Sequence, residues 1–139
     1  MIVVDTNIIG YLYLASERSI QAEEALLKDP HWVAPLLWRS EFRNVLALYI
    51  RKAVFSLEDA NRIMEEAITL MQGREYEIAS LQVLSLVASS TCSAYDCEFV
   101  ALAQDLNVPI VTVDKQILEQ FPNYAVSLDD YAKQTNDVG

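Results

Sequence analysis

The sequence is poor in the residues that staple small proteins and bind soft metals: 139 residues contain two cysteines and one histidine. Cys92 and Cys97 stand five apart in one predicted helical stretch, a spacing that suits neither a zinc knuckle nor a small disulfide framework, so both are read as reduced core thiols. His31 is alone, so nitrogen and sulfur ligands for zinc are lacking. No basic residue precedes Arg18, and Asp5 and Asn7 interrupt the apolar amino terminus, so the charged and hydrophobic regions of a secretory signal are missing. No run is long and apolar enough to span a bilayer, and a cytoplasmic location is expected. Positive charge is scarce as well. Ten Lys and Arg face twenty Asp and Glu, for a net charge of −10 and a pI near 4.4. On its face this argues against a nucleic-acid partner, because phosphate binding normally uses clustered Lys and Arg.

The chain does have enough apolar content, 53%, to bury roughly two-thirds of its unfolded surface without metals or disulfides. No linker, repeat or low-complexity tract divides it. One domain over 1–133 is expected, with 134–139, "QTNDVG", as a flexible tail. Strand and helix signals alternate. Strands are predicted over 2–5, 31–35, 75–80, 108–114 and 124–128, and helices over 8–15, 19–28, 36–52, 56–73, 80–87 and 93–107. Trp38, Phe42, Val45 and Tyr49 form the apolar stripe of the third helix. Ser56 with Asp59 is a capping-box start for the next, and Gly73 a stop. The alternation predicts an α/β three-layer sandwich whose central, mostly parallel five-stranded sheet is flanked by helices.

Ligands of an open parallel sheet gather beyond the carboxyl ends of its strands, where the connection order reverses. Asp5 ends the run "MIVVD" and Asp114 ends "VPIVTVD", which places both acids at such ends. Glu41 lies between Trp38 and Phe42 on a predicted helix, and Asp96 opens another. Each has an ordinary structural reading too. Asp5 can cap the helix that follows, Asp114 can end a strand in a turn, Asp96 completes a capping box with Ser93, and Glu41 can be a solvated helix residue. If the four converge, each pair of like charges about 4 Å apart repels by roughly 4 kcal/mol at an effective dielectric near 20, and a divalent cation is what relieves it. Oxygen ligands alone select Mg²⁺ or Mn²⁺. Such an ion polarises a phosphoryl oxygen and lowers the pKa of a bound water.

"MIVVDTNIIGYL", "SEFRNVLAL" and "SAYDCEFVALAQDLNVPIVTVDK" resemble, in order and spacing, the motifs of the PIN-domain ribonucleases, and in compact size the bacterial toxins of the VapC type. The resemblance covers nearly the whole chain. It implies a PIN-like fold and an acidic pocket of Asp5, Glu41, Asp96 and Asp114 that holds Mg²⁺ or Mn²⁺ and hydrolyses RNA phosphodiesters. Thr6, Asn7, Asn44, Ser93 and Thr112 match positions that commonly support such a pocket. Gln116 departs from the pattern, standing where many relatives carry a further acid, so the resemblance does not extend to a second metal ion. It also implies a homodimer, and a small antitoxin that inserts a basic residue into the pocket from an apolar surface around Tyr11, Tyr13, Tyr49, Ile50 and Phe55. Arg39 and Arg43, an i,i+4 pair beside Glu41, and Lys115, beside Asp114, are the candidate phosphate contacts, with Arg51 and Lys52 farther along.

Two readings from other classes stay open on the sequence. A phosphoacceptor receiver domain also gathers acids at parallel strand ends, but it carries paired acids after its first strand, whereas Thr6 follows Asp5 here. A catalytically inactive adaptor of the same fold has no need to keep all four acids.

Overall fold

The computed structural model describes residues 1–134. The elements run β1 (Ile2–Val4), α1 (Thr6–Tyr13), α2 (Ser19–Lys28), β2 (Trp32–Pro35), α3 (Leu37–Arg51), α4 (Leu57–Met71) and β3 (Glu75–Tyr76). They continue with α5 (Ser80–Ala88), α6 (Ala94–Leu106), β4 (Ile110–Thr112), α7 (Lys115–Gln120), β5 (Ala125–Ser127) and α8 (Leu128–Lys133). The five strands form one sheet in the order β3-β2-β1-β4-β5, and all four pairings are parallel. The result is the expected three-layer α/β sandwich. Of the expected tail, all but Gln134 lies outside the described residues.

A parallel sheet covered on both faces needs apolar side chains on both, and that is what the short strands supply. Val3, Val4, Val33, Ala34, Ile110 and Val111 are all fully buried. The helix α6 runs over β1, β2 and β4 with α5 packed on it, while α3 and α4 pack on β2, and α1 and α8 on β4. Trp38 and Phe42 of α3 are sealed in the core, their rings 6.2 Å apart, as the helical spacing of the stripe predicts. Cys92 and Cys97 are buried free thiols, and burial pushes both up from the ordinary thiol range. Among the described residues no helix is long and apolar enough to cross a membrane.

Several expected boundaries shift, each for a local reason. Helix α1 begins at Thr6 rather than Ile8 because Asp5 caps it, its side chain accepting from the Ile8 N–H at 3.2 Å. The expected strand over 75–80 shrinks to Glu75–Tyr76, an edge pairing with Ala34 and Pro35. Pro35 has no N–H to give, but β2 ends there, and the Leu36 N–H donates to the Tyr76 carbonyl instead. Ser80 is the first residue of α5 and not its cap, since Ala79 occupies that position without a side-chain bond. Two short helices, α7 and α8, have no counterpart in the sequence prediction. Their signals are the Asp114 and Ser127 caps, which accept from the N–H groups of Ile117 and Asp130.

The edge strand β3 is clamped to α3 through one carboxylate. Glu75 accepts from Trp38 Nε1 at 2.8 Å and from Arg39 Nε and Nη2 at 2.5 and 2.6 Å. The Arg39 guanidinium holds the Glu75 carboxyl below its ordinary value. Glu75→Ala orphans the indole N–H of the fully buried Trp38, and urea denaturation at pH 7 should show a loss of about 1–3 kcal/mol, the usual cost of a buried donor without a partner. Because the folded pKa is the lower one, the Glu75 contribution is present above the unfolded carboxylate value. It fades only as pH falls through the folded value, so the gap between the two proteins should hold from pH 7 down to about 5 and narrow below about 4. A gap unchanged at pH 3 would show that charge has no part in the clamp.

Candidate active site

The chain leaves β1 in one direction, through β2 to β3, and later fills the other side with β4 and β5, so its order reverses between β1 and β4. That reversal opens a crevice at the carboxyl ends of these two strands. Asp5 stands at the end of β1 and Asp114 two residues past the end of β4. One hydroxyl ties them together. Thr112 Oγ1 donates to Asp5 Oδ2 and accepts from the Asp114 N–H at 3.0 Å. Thr112 is fully buried, so this bridge is shielded from solvent.

Both aspartates are helix N-caps as well. Asp5 Oδ1 takes the Ile8 N–H, and Asp114 Oδ1 takes the Ile117 N–H at 3.0 Å. The capping role and the place in the crevice are therefore two uses of the same side chain, with one oxygen of each spent on the helix. Glu41 reaches the crevice from α3, half-buried rather than solvated, and its Oε1 accepts from Thr6 Oγ1 at 2.7 Å. Asp96 comes from the first turn of α6, where Ser93 Oγ accepts the Asp96 backbone N–H at 3.1 Å. These elements enclose a cleft of about 250 Å³ lined by Asp5, Thr6, Asn7, Glu41, Asn44, Val45, Asp96, Phe99 and Asp114. Phe99 and Val45 are the residues that sequence reasoning did not assign here. Phe99 stands one turn after Asp96 on α6, a spacing that puts the two on one face.

The electrostatics are those of unneutralised acids out of water. Burial pushes Asp5 up to about 6, with Asp114 adding to the rise and the bonds from Thr112, Ile8 and Val113 opposing it. Burial likewise raises Glu41, with a further push from Asp96, and raises Asp96, with a further push from Asp114. The repulsions thus link Asp5 to Asp114, Asp114 to Asp96 and Asp96 to Glu41. Among the described residues none of the four is in an ion pair with a Lys or Arg.

Nor do any three Asp, Glu, His or Cys side chains among the described residues close into a ready coordination shell. The engaged oxygens explain this. Each of Asp5, Glu41 and Asp114 has an oxygen turned to an N–H or hydroxyl, and like charges do not draw together by themselves. The donor chemistry fits a hard cation that keeps most of its waters and takes one or two carboxylates, as Mg²⁺ and Mn²⁺ do. It does not fit zinc: the cleft offers oxygen only, and His31 sits at the opposite end of the sheet, just before β2.

The candidate phosphate contacts separate in space. Arg39 is committed to Glu75. Arg43 is exposed and donates to Ser40 Oγ at 3.2 Å. Lys115 lines a second cavity, distinct from the acidic cleft. A groove of about 270 Å³ continues from the cleft, sharing Thr6, Asn7 and Val45 with it and adding Gly10, Tyr11, Leu14, Phe42 and Tyr49. Of the expected apolar surface, Tyr11 and Tyr49 line this groove, Tyr13 and Phe55 pack partly buried against the core, and Ile50 is exposed.

The family model described as PIN domain matches residues 2–123. Ribonuclease VapC3 of Pyrobaculum aerophilum is 28% identical over 124 residues, covering 87% of this chain and 95% of that protein. Among solved structures, a toxin-antitoxin complex from Klebsiella pneumoniae superposes with a TM-score of 0.68 at 17% identity, over 92% of this chain and 98% of that one. PAE2754 from Pyrobaculum aerophilum does so with a TM-score of 0.69 at 16% identity, over 94% and 92%. At those identities the superpositions show the fold.

Asp5→Asn tests the cost of the buried charge. The amide keeps its oxygen for the Ile8 N–H, turns its NH2 to the Thr112 hydroxyl, which then accepts instead of donating, and carries no charge. Asp5 has a folded pKa near 6 against an ordinary 3.8, so wild type is free of the penalty below about pH 4 and bears it fully above about pH 6. In chelator the variant should be more stable than wild type at pH 8, by up to about 3 kcal/mol for a shift of roughly two units, with the advantage gone near pH 3. Equal melting at pH 8 would show that Asp5 is not strained as an anion.

Proposed function

The chain belongs to the PIN domain family, and from that premise we propose that it is a Mg²⁺- or Mn²⁺-dependent endoribonuclease that hydrolyses RNA phosphodiester bonds. The observation that carries this reading is the convergence of Asp5, Glu41, Asp96 and Asp114 on one cleft at the topological switch point, with no cation of the chain paired to any of them among the described residues. Asp5, Asp96, Asp114 and Glu41 are the side chains that would hold the ion. Bound there, it supplies polarisation of a phosphoryl oxygen and a more acidic water.

The rest of the work falls to the chain's own groups. Asp5 is the fixed point, immobilised by the Ile8 N–H and the Thr112 hydroxyl. Asp114 is set in place by its cap bond to Ile117. Thr6 holds Glu41 by Oε1, which leaves Oε2 to orient a water and take its proton as the water oxygen bonds to phosphorus. The bond from phosphorus to the 3′ oxygen on the far side breaks, and that oxygen takes a proton from solvent, giving a 5′-phosphate and a 3′-hydroxyl. Asn7 and Asn44 offer amides on the same wall for the phosphate oxygens. Phe99 and Val45 give the cleft an apolar side that limits water and strengthens these contacts.

The biological assignment follows from the similarity to a VapC ribonuclease and from a structural likeness to a toxin-antitoxin complex. The protein is read as the toxin of such a pair, cytoplasmic and homodimeric, folded as one domain over 1–133. The cognate antitoxin would lay an apolar segment along Tyr11, Leu14, Phe42 and Tyr49 and direct a basic residue into the acids next to them. The receiver reading loses ground because two of the four acids arise from helices, α3 and α6, and not from strand ends.

Purified protein with Mn²⁺ or Mg²⁺ should cleave single-stranded or structured RNA and leave 5′-phosphate ends, and chelator should stop it. Ca²⁺ should raise the melting temperature with little cleavage. Asp114→Asn keeps an acceptor for the α7 cap and removes one charge, so the fold should melt at least as high in chelator while cleavage falls by roughly a hundredfold or more, the scale of losing a group that acts on the transition state. Undiminished cleavage in chelator, or an active Asp114→Asn enzyme, would remove the metal-site reading.

A further inference from the structure

An acidic cleft that acts on a polyanion needs cations to hold the strand on either side of it. The chain has ten Lys and Arg. Arg39, Arg62 and Lys133 are paired with Glu75, Asp59 and Asp129, Arg74 donates to the Pro30 carbonyl, and Lys28 donates to the Tyr131 carbonyl and lies over its ring. Two of the rest, Arg18 and Lys115, share a cavity of about 300 Å³ at the carboxyl ends of β4 and β5, lined also by Gln21, Val113, Ser127 and Asp129. Both cations are exposed, and neither is in an ion pair among the described residues. The one acid on the wall, Asp129, is paired with Lys133 at 3.0 Å and lies close enough to Arg18 to favour its charged form as well.

This cavity is next door to the acidic cleft. Asp114 lines the cleft and Lys115, the next residue along the chain, lines the cavity. Arg18 is positioned from the other side. Its guanidinium lies 6.0 Å from the Tyr11 ring centroid and donates to Tyr11 Oη at 3.3 Å, and Tyr11 lines the groove that opens from the same cleft. A guanidinium steadied by the Tyr11 hydroxyl loses less freedom when it takes up a phosphate than a free one does.

We infer that the Arg18–Lys115 cavity is a phosphate subsite, which holds the RNA backbone to one side of the bond being cut. This rests on the ribonuclease reading above and deepens it, because it assigns the strand a path from the acids across the start of α7 to the β5 edge. It also resolves how a chain of net charge −10 engages RNA: two cations at one end of the cleft set the register, and no broad basic face is required. Contacts of this kind position a strand and carry no sequence information.

The test compares Arg18→Gln with Lys115→Gln in one protein against wild type, with short single-stranded RNA, in Mn²⁺ for cleavage and in Ca²⁺ for binding. The double variant should raise KM about tenfold with kcat nearly unchanged, and should flatten the slope of log Kd against log salt by roughly 0.7 for each phosphate that is no longer neutralised. Arg18→Lys keeps the charge without the positioned guanidinium and should lose less affinity than Arg18→Gln, and Arg62→Gln, which removes a surface charge elsewhere, should change neither KM nor the salt slope. Melting temperatures of all variants should match wild type. If wild type cleaves RNA and the double variant has the same KM and salt slope, the subsite is wrong and the nuclease reading stands. If wild type binds RNA but cleaves none, a weakened double variant still supports the subsite while the nuclease reading falls. If wild type binds no RNA, both fall.

Discussion

The Thr112 hydroxyl is the interaction on which the rest of the cleft depends. It lies fully buried between the two central strands, gives its proton to Asp5 and receives the Asp114 N–H, so it fixes both strand-end acids from one point. A buried hydroxyl without partners costs free energy, and here both its donor and its acceptor functions are used. The bridge spans 107 residues of sequence and joins β1 to β4 at the place where the strand order reverses. Valine has nearly the same shape at Thr112, but it could neither bond to Asp5 nor steady the turn into α7.

Around that point the fold concentrates charge that it does not neutralise. Asp5, Glu41 and Asp96 are all displaced upward, mainly by burial and then by a neighbouring acid, Asp114 for Asp5 and Asp96, and Asp96 for Glu41. The helix caps offset part of the cost, since the N-terminal N–H groups of α1 and α7 face Asp5 and Asp114. Capping and site formation are therefore one arrangement. A parallel strand followed by a capped helix delivers a carboxylate to the crevice, and two such units on either side of the switch deliver a pair. Glu41 and Asp96 then complete the ring from α3 and α6, two helices that pack on the sheet for apolar reasons, through Trp38 and Phe42 in one and Phe99 and Val100 in the other.

Much of this is legible in the order of residues. The buried strands announce themselves as unbroken apolar runs, and an acid that closes such a run stands at a strand end by construction. The periodicity of α3 and α4 and the capping boxes at Ser56 and Ser93 place the main helices within a residue or two. Boundaries slipped where one residue serves two elements. Asp5 ends a strand in the sequence and starts a helix in the fold, and "EYEIAS" has strand alternation but only one neighbour, so its pairing stops after Tyr76. The short helices α7 and α8 escaped because six residues show too little periodicity, although Asp114 and the Ser127 to Asp130 pair signal them.

What the sequence determined by itself is the alternation of strand and helix, the parallel sheet that follows from it, and two acids, Asp5 and Asp114, at strand ends where such a sheet gathers ligands. These depend on local patterns of two, three or four residues and on the direction of the strands. Only the tertiary structure decided which charges are free. Arg39 and Arg43 look equivalent along a helix, yet Arg39 is consumed by Glu75 from an edge strand and Arg43 is not. Arg18 and Lys115 are far apart in sequence, yet they share one cavity beside the acids. Pairing of this kind is a matter of distance in space and of solvent exclusion, and neither is written in the spacing of residues along the chain.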